Sequence, residues 1–513
     1  METLFFSSLM VSPAAAQTWS PAKPNVVVDA TSIEGKVLFG YQGWFNCPMN
    51  GSGSWTHWSR GVPTATNLTV DLFPDLSDFK ATDLCAAGSL QAGGSQAYLF
   101  SSRTPAVVDT HFRWMEQYGL DGVLVQRFIG EAAGKRNGGD VVLKNIIAAA
   151  AAHGRVFAIE YDLTGASETG FAAALQADWK YMVDDLKVTS HPNYLHHKGL
   201  PVVSMWGPGI NDGGHNPKDP AALLNFVTWF KTTGPIAYRA FYMGGTPAGW
   251  STGTGDSYGG AAWNSAFAAM DVVQPWTVGR YQDTSAAKGW SKSHIAPDVA
   301  KAKANGQLYM PVAFPGFSWF NLHQGRQNQI PRLGGKFLWS QAYGAKMGGA
   351  SMLKFAMFDE VDEGTAMFKV VSKRAQAPDQ GFWLTLDADG QNLPSDWYLR
   401  LAGEITLMFH GQRPVTPSMP TEPLLPSALR PGGTRESLGY VRTPGGFEIH
   451  GGSGTAGQGR VGIFHASGRC LRTLEMKDGI AAWDGKDALG MALPAGVYLA
   501  HAEGAASAAL MLE

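Results

Sequence analysis

The stretch Met352-Leu353-Lys354-Phe355-Ala356-Met357-Phe358-Asp359-Glu360-Val361-Asp362-Glu363-Gly364-Thr365 decides the architecture. Its apolar run stops abruptly at Phe358, and Asp359, Glu360, Asp362 and Glu363 then crowd into the next few positions. A buried strand that ends at carboxylates is how a (β/α) barrel presents acids at the C-terminal mouth of its sheet. Paired carboxylates are also what general acid–base work at a glycosidic bond requires. One gives a proton to the leaving oxygen, and the other handles charge or deprotonation at the sugar. A solvated acidic loop is the competing reading of any such run, so the rest of the chain has to decide.

Moving outward, seven further apolar, β-branched or aromatic runs precede this one. They are Val37–Phe45, Gly122–Phe128, Val156–Asp162, Pro201–Trp206, Ile236–Met243, Ala269–Trp276 and Leu308–Phe314, with Met352–Phe358 as the eighth. Continuous apolar runs fit strands buried on both faces, the mark of a parallel sheet. Between them lie segments long enough for crossover helices: Val107–Tyr118, Val141–His153, Phe171–Leu186, Pro220–Lys231, Ala296–Asn305 and Pro331–Lys346. The expected fold is therefore α/β, a (β/α)8 TIM barrel over residues 30–410. Residues 46–104 form its largest insertion and are placed to build a wall of the cleft.

Several runs end in polar or aromatic residues, and the series falls at one end of every expected strand. The candidate binding residues are Tyr41, Trp44, Gln126, Arg127, Tyr161, Asp162, Trp206, Tyr242, Trp276, Arg280 and Trp319. For any one of them a core aromatic or a structural hydrogen bond is the bland reading. Taken as a series they suggest a lined pocket.

With 513 residues the chain exceeds one ordinary domain. A proline-rich segment, 411–435, cannot continue a helix or a central strand and reads as a linker. Beyond it, residues 436–513 change to short alternating segments between glycine-rich turns, which predicts a small all-β sandwich. Trp483-Asp484-Gly485-Lys486-Asp487 followed by Leu493-Pro494-Ala495-Gly496-Val497-Tyr498 resembles the immunoglobulin-like domain of the flagellar hook-capping type. That resemblance implies an accessory module of secreted bacterial proteins.

The net charge of −2 gives no electrostatic footprint for nucleic acid or an anionic membrane. No run has the length or purity of a membrane span. Residues 1–16 read as a signal-like segment ending in Ala14-Ala15-Ala16, so a secreted or periplasmic location is expected. The cysteines number three, Cys47, Cys85 and Cys470, which is no disulfide framework, although a Cys47–Cys85 pair stays open. No cysteine or histidine cluster has zinc spacing, and no cofactor is expected. Clustered Asp359, Glu360, Asp362 and Glu363 leave a calcium site as an alternative, but their spacing does not match the twelve-residue calcium loop. Seventeen tryptophans and fifteen tyrosines favour a poly- or oligosaccharide partner, because sugars dock on flat aromatic faces.

In their order, the motifs resemble the glycoside hydrolase family 71/99-like group. The matching pieces are Gly40-Tyr41-Gln42-Gly43-Trp44-Phe45, His57-Trp58, Asp71-Leu72-Phe73-Pro74-Asp75, Asp121 to Phe128, Phe314 to Trp319, Ile330-Pro331-Arg332 and the carboxylate segment. The resemblance adds His57, Trp58 and Asp359 to the expected binding residues and implies Glu360 and Glu363 as the catalytic pair. By likeness to family 99, Glu363 is the general acid/base, and Glu360 deprotonates the sugar 2-hydroxyl, which attacks C1. Such displacement needs a 1,2-trans linkage. Asp359, Val361 and Asp362 depart from that family's pattern, so its mannose specificity is not carried over. Family 71 implies an inverting α-glucanase instead, and a catalytically silent carbohydrate-binding barrel is a further alternative.

Overall fold

The computed structural model describes residues 27–49, 53–132, 138–420, 439–443, 445–450, 458–465, 470–488, 490–502 and 508–512. The signal-like segment and residues 421–438 of the expected linker lie outside them. The chain divides into two units, Met1–Leu425 and Pro426–Glu513.

The first unit is a closed parallel barrel. Its strands are β1 (Val37–Tyr41), β2 (Gly122–Phe128), β3 (Val156–Asp162), β4 (Leu200–Trp206), β5 (Phe241–Gly245), β6 (Val272–Val273), β7 (Leu308–Tyr309 resuming as Val312–Ala313) and β8 (Leu353–Phe355). Neighbours pair in parallel in that order, and β8 returns to β1 through Val37 and Leu353. Closure happens inside β7. Leu308 pairs with Val272 of β6, whereas Val312 pairs with Lys354 of β8. Pro311 between the two pieces has no N–H to donate, so the ladder changes partner across it.

Burial explains the strand sequences: every residue of β1, β3, β5 and β8 is buried. The helices Pro105–Gln117, Gly139–His153, Phe171–Asp184, Pro220–Thr228, Ala261–Ala268, Ala296–Ala304, Lys336–Met347 and Trp397–Phe409 form the outer layer. Two corrections follow. The fifth strand begins at Phe241, because Ile236–Tyr238 is a 3-10 turn with Ile236 80% exposed. Helices Ala261–Ala268 and Trp397–Phe409 were not among the expected elements.

The insertion after β1 carries an antiparallel hairpin, Leu84–Ala92 with Ser95–Phe100, and a Cys47–Cys85 disulfide ties it to the segment leaving β1. At the other end of the barrel unit, residues expected to begin the linker pack on the helices. Arg413 forms an ion pair with buried Glu404, and Trp339 Nε1 donates to the Thr416 carbonyl at 3.0 Å. Among the described residues no helix is long and apolar enough to cross a membrane.

The second unit is all-β. Seven antiparallel strands run in the spatial order Gly439–Thr443, Gly446–His450, Ile480–Trp483, Cys470–Lys477, Gln458–His465, Gly496–Ala502 and Ala508–Leu512. Trp483 and Tyr498 meet edge-to-face at 5.4 Å inside its core. Trp483 Nε1 donates to the Lys486 carbonyl, which gives the Trp-Asp-Gly-Lys turn a structural job.

Candidate active site

The carboxylate segment is fixed from several directions. Phe358 N–H donates to the Gly40 carbonyl at 2.8 Å, so the chain leaving β8 still runs beside β1. Asp359 then accepts the N–H groups of Gln42 and Gly43, each at 2.8 Å, and clamps the two strand exits together. The Val361 carbonyl accepts from Asp71 N–H, and the Glu363 carbonyl from Ser318 N–H. Arg332 donates to the carbonyls of Gly364 and Ala366 at 2.9 and 2.7 Å. Gly364 sits at φ +66, and a Cβ there would meet Ser318 N at 2.8 Å, so this turn requires glycine. Residues 360–366 form a wide turn in which Thr365 and Ala366 N–H both reach the Glu360 carbonyl.

Glu360 is buried and Glu363 only partly so, and the two differ in their partners. Glu360 Oε1 accepts from Gln42 Nε2 at 2.7 Å, and Oε2 accepts from the Thr365 hydroxyl at 2.7 Å. Burial first, then the charges of Glu363 and Asp362, push Glu360 well above the carboxylate range against those two donors. Glu363 is pushed up to about 8 by burial, then by Asp362 and Asp162. Burial raises Asp359 to about 7 despite its backbone donors. Such a cluster holds protons at neutral pH, because like charges in a desolvated site cannot all ionise. The two donors at Glu360 partly offset its upward shift, whereas no hydrogen-bond donor meets the Glu363 carboxyl among the described residues.

Aromatic side chains cluster at the same end of the barrel strands. Trp44 stacks on His57 at 3.9 Å and on Phe128 at 5.1 Å. Trp206 meets Trp276 edge-on at 5.5 Å and His215 at 5.1 Å. Asp162, at the end of β3, accepts the Thr164 N–H at 2.7 Å. Several buried polar atoms here have no protein partner: Gln42 Oε1, Trp44 Nε1, Gln126 Oε1, Trp206 Nε1, His215 Nε2 and Asp362 Oδ1. A buried polar atom without a partner costs free energy, and a hydroxyl-rich ligand supplies both donors and acceptors. Among the described residues, no three His, Cys, Asp or Glu side chains converge as a metal site.

Beneath the mouth the barrel interior is ionic. Glu160 of β3 accepts from Gln126, from Lys354 of β8, and from the Ser204 hydroxyl at 2.6 Å. Lys354 Nζ also donates to Gln274 Oε1 at 3.1 Å and lies 5.5 Å from the Trp276 ring centre. Glu160 and Lys354 are both fully buried. Sequence reading passed over both, although a single charge inside each apolar strand was the available signal.

Seven expected binding residues lie elsewhere, five of them enclosed. Side chains alternate across a strand: Gln126 and Glu160, register partners, face the interior network, while their neighbours Arg127 and Tyr161 face the helices. Arg127 holds Asp178 through two nitrogens and Asp140 at 2.9 Å, and Tyr161 donates to Asp178 at 3.0 Å. Tyr41 bonds His111 of helix Pro105–Gln117 at 2.8 Å. Tyr242 packs on Phe226 and Phe230, and Trp58 donates to the Phe100 carbonyl at 2.9 Å. All five are enclosed, so they support the site from behind. Exposed Arg280 is bonded to Asp256 at 2.6 Å, and Asp256 in turn accepts the N–H groups of Ala248 and Gly249. Trp319 is half-buried against Phe317 at 5.0 Å. Structure therefore gathers Trp44, His57, Gln126, Asp162, Trp206, Trp276, Asp359, Glu360 and Glu363 around the interior network and the acidic turn.

By fold, then, the larger unit is a (β/α)8 barrel with a carboxylate-bearing mouth. No family model and no curated protein matches the chain. Two solved structures of the GH99 endo-α-mannosidase from Bacteroides thetaiotaomicron, one in complex with BIS-TRIS-propane, are similar to it. Each has a TM-score of 0.54 and covers 74% of this chain and 99% of that chain, at 18% and 16% identity. Likeness at that level is one of fold.

Proposed function

We propose that the chain is a glycoside hydrolase that cleaves a 1,2-trans linkage of a poly- or oligosaccharide with retention. The observation that carries this reading is the Glu360–Glu363 pair at the mouth, one member held by two donors and the other without a donor and pushed up to about 8. Glu363 protonates the glycosidic oxygen as its bond to C1 breaks. Glu360 takes the 2-hydroxyl proton, and that oxygen closes on C1. Water then opens the three-membered ring at C1, giving its proton to Glu363 while Glu360 returns a proton to the 2-oxygen. Net consumption is one water. Trp44, Trp206, Trp276, Asp162 and Gln126 bind the sugars, whose hydroxyls partner the buried polar atoms around them.

The Cys47–Cys85 bridge supports an oxidising compartment, in line with secretion. Incubation with plant, fungal and bacterial polysaccharides, read by mass spectrometry against a Glu363→Gln blank, tests the activity. Release of sugars by both proteins, or by neither, sinks it. Inversion at C1 seen by NMR removes the retaining scheme and favours the inverting one.

A further inference from the structure

His57 stands across from the acidic turn in left-handed backbone, φ 60, a conformation that few non-glycine residues adopt. Thr69 Oγ1 donates to its carbonyl at 2.6 Å, and the Asn46–Thr56 bridge holds the preceding residue. Its ring lies within 6° of the Trp44 plane, with Phe45 edge-on at 6.0 Å. That placement brings Nδ1 to 3.4 Å from Asp362 Oδ2. The imidazole is 40% exposed, whereas the Asp362 side chain is 3% exposed. One group meets solvent and the other does not.

We propose that His57 is a positioning residue whose hydrogen bond to Asp362 holds that carboxylate as a fixed anion beside Glu363. The inference rests on the glycosidase reading above. Titratable groups facing Asp362 come from two elements: His57 on the insertion, and Asp359, Glu360 and Glu363 on its own turn. Glu363 also faces Asp162 at the end of β3. His57 opposes the burial that pushes Asp362 up, and it is absent from the charges acting on Glu363. Its influence on the acid therefore runs through Asp362. With that neighbour anionic, ionising Glu363 places two negative charges together, so Glu363 keeps its proton. Without His57, burial favours neutral Asp362 and Glu363 gives up its proton more readily.

The test uses His57→Asn and Asp362→Asn. Asparagine tolerates left-handed backbone, so the first removes the imidazole without straining the loop. On a glycan with an unactivated leaving group, each variant moves the alkaline limb of kcat/KM down by about one pH unit. That displacement corresponds to a roughly tenfold change in the ionisation ratio of Glu363. KM stays within about twofold, since only proton transfer is weakened. The double variant is no worse than Asp362→Asn. A uniform loss of rate with the limb in place, or additive effects of the two changes, overturns the proposal.

Carbon-13 NMR of labelled carboxyl groups, assigned with Glu363→Gln, follows Glu363 without any substrate. A lower Glu363 midpoint in both variants, with no glycan cleaved by the parent protein, upholds the pair and rejects the hydrolase reading. Cleavage by the parent with an unmoved midpoint rejects the pair alone.

Discussion

Gln42 Nε2 donates to Glu360 Oε1 at 2.7 Å across a sequence separation of 318 residues. The first strand's exit and the last strand's exit thus build one half of the acid pair together, and barrel closure is the condition for it. Removing this donor takes away one of two hydrogen bonds that favour ionised Glu360. Gln42→Leu is expected to lower kcat about tenfold or more, because a hydrogen bond to a charged group is worth about 1.5–3 kcal/mol. Steady-state kinetics with circular dichroism as the folding control checks this.

Glu363→Gln removes the proposed proton donor and keeps the shape. Turnover of natural glycans should fall at least about 10²-fold, the lower range for general acid catalysis. Aryl glycosides with good leaving groups need no proton and should retain most of their first-step rate. Normal activity on natural glycans in this variant defeats the acid assignment.

Stability should depend on pH in a defined sense. A carboxyl whose folded value lies above its unfolded one favours the fold when protonated. For Asp359 the window runs from 3.8 to about 7, and for Glu363 from 4.5 to about 8. Their combined penalty is absent below the window, grows as pH rises through it, and is constant above. Glutamine cannot ionise, so Glu363→Gln escapes its own share of that penalty. The Tm of Glu363→Gln minus that of the parent should therefore increase between pH 5 and pH 8. Each tenfold change in a folded-state ionisation ratio corresponds to about 1.4 kcal/mol. A flat difference across that range contradicts the upward shift of Glu363.

Arg127→Leu takes a guanidinium from two buried carboxylates, Asp178 and Asp140. Breaking a buried pair typically costs about 3–5 kcal/mol. Urea unfolding should show that loss, while KM of the folded fraction stays unchanged. Trp206→Ala should do the reverse, raising KM with little effect on kcat or Tm, since it removes binding shared by ground and transition states.

Truncation after residue 425 should leave the barrel unit folded. Ending the chain at residue 411 strips buried Glu404 of its Arg413 partner and Trp339 of its Thr416 acceptor, and should lower Tm markedly. Thermal scans of the two fragments decide between these boundaries.

The eight strands were legible because a strand buried on both faces is apolar throughout, whatever its partner. Which end residues enter the mouth was not legible. Tyr161 and Glu160 are adjacent, yet one bonds a helix carboxylate and the other the interior lysine, and alternation alone does not name the inner face. The Glu160–Lys354 contact spans 194 residues, so neither residue announces the other. Ile236 looks like a strand residue by type but is exposed, because hydrophobicity measures a preference and topology decides whether it is met. Helix Trp397–Phe409 is buried almost all round, which blurs the one-faced pattern by which helices are read.

The Cys47–Cys85 bridge has a practical consequence for anyone producing this protein. It joins the segment carrying Trp44 to the hairpin behind His57, and every barrel strand lies outside that covalent loop. A preparation from a reducing host can therefore show a full barrel spectrum and a sharp melt while the wall beside the acidic turn is loose. An assay on such material reports the redox history of the sample as much as its chemistry.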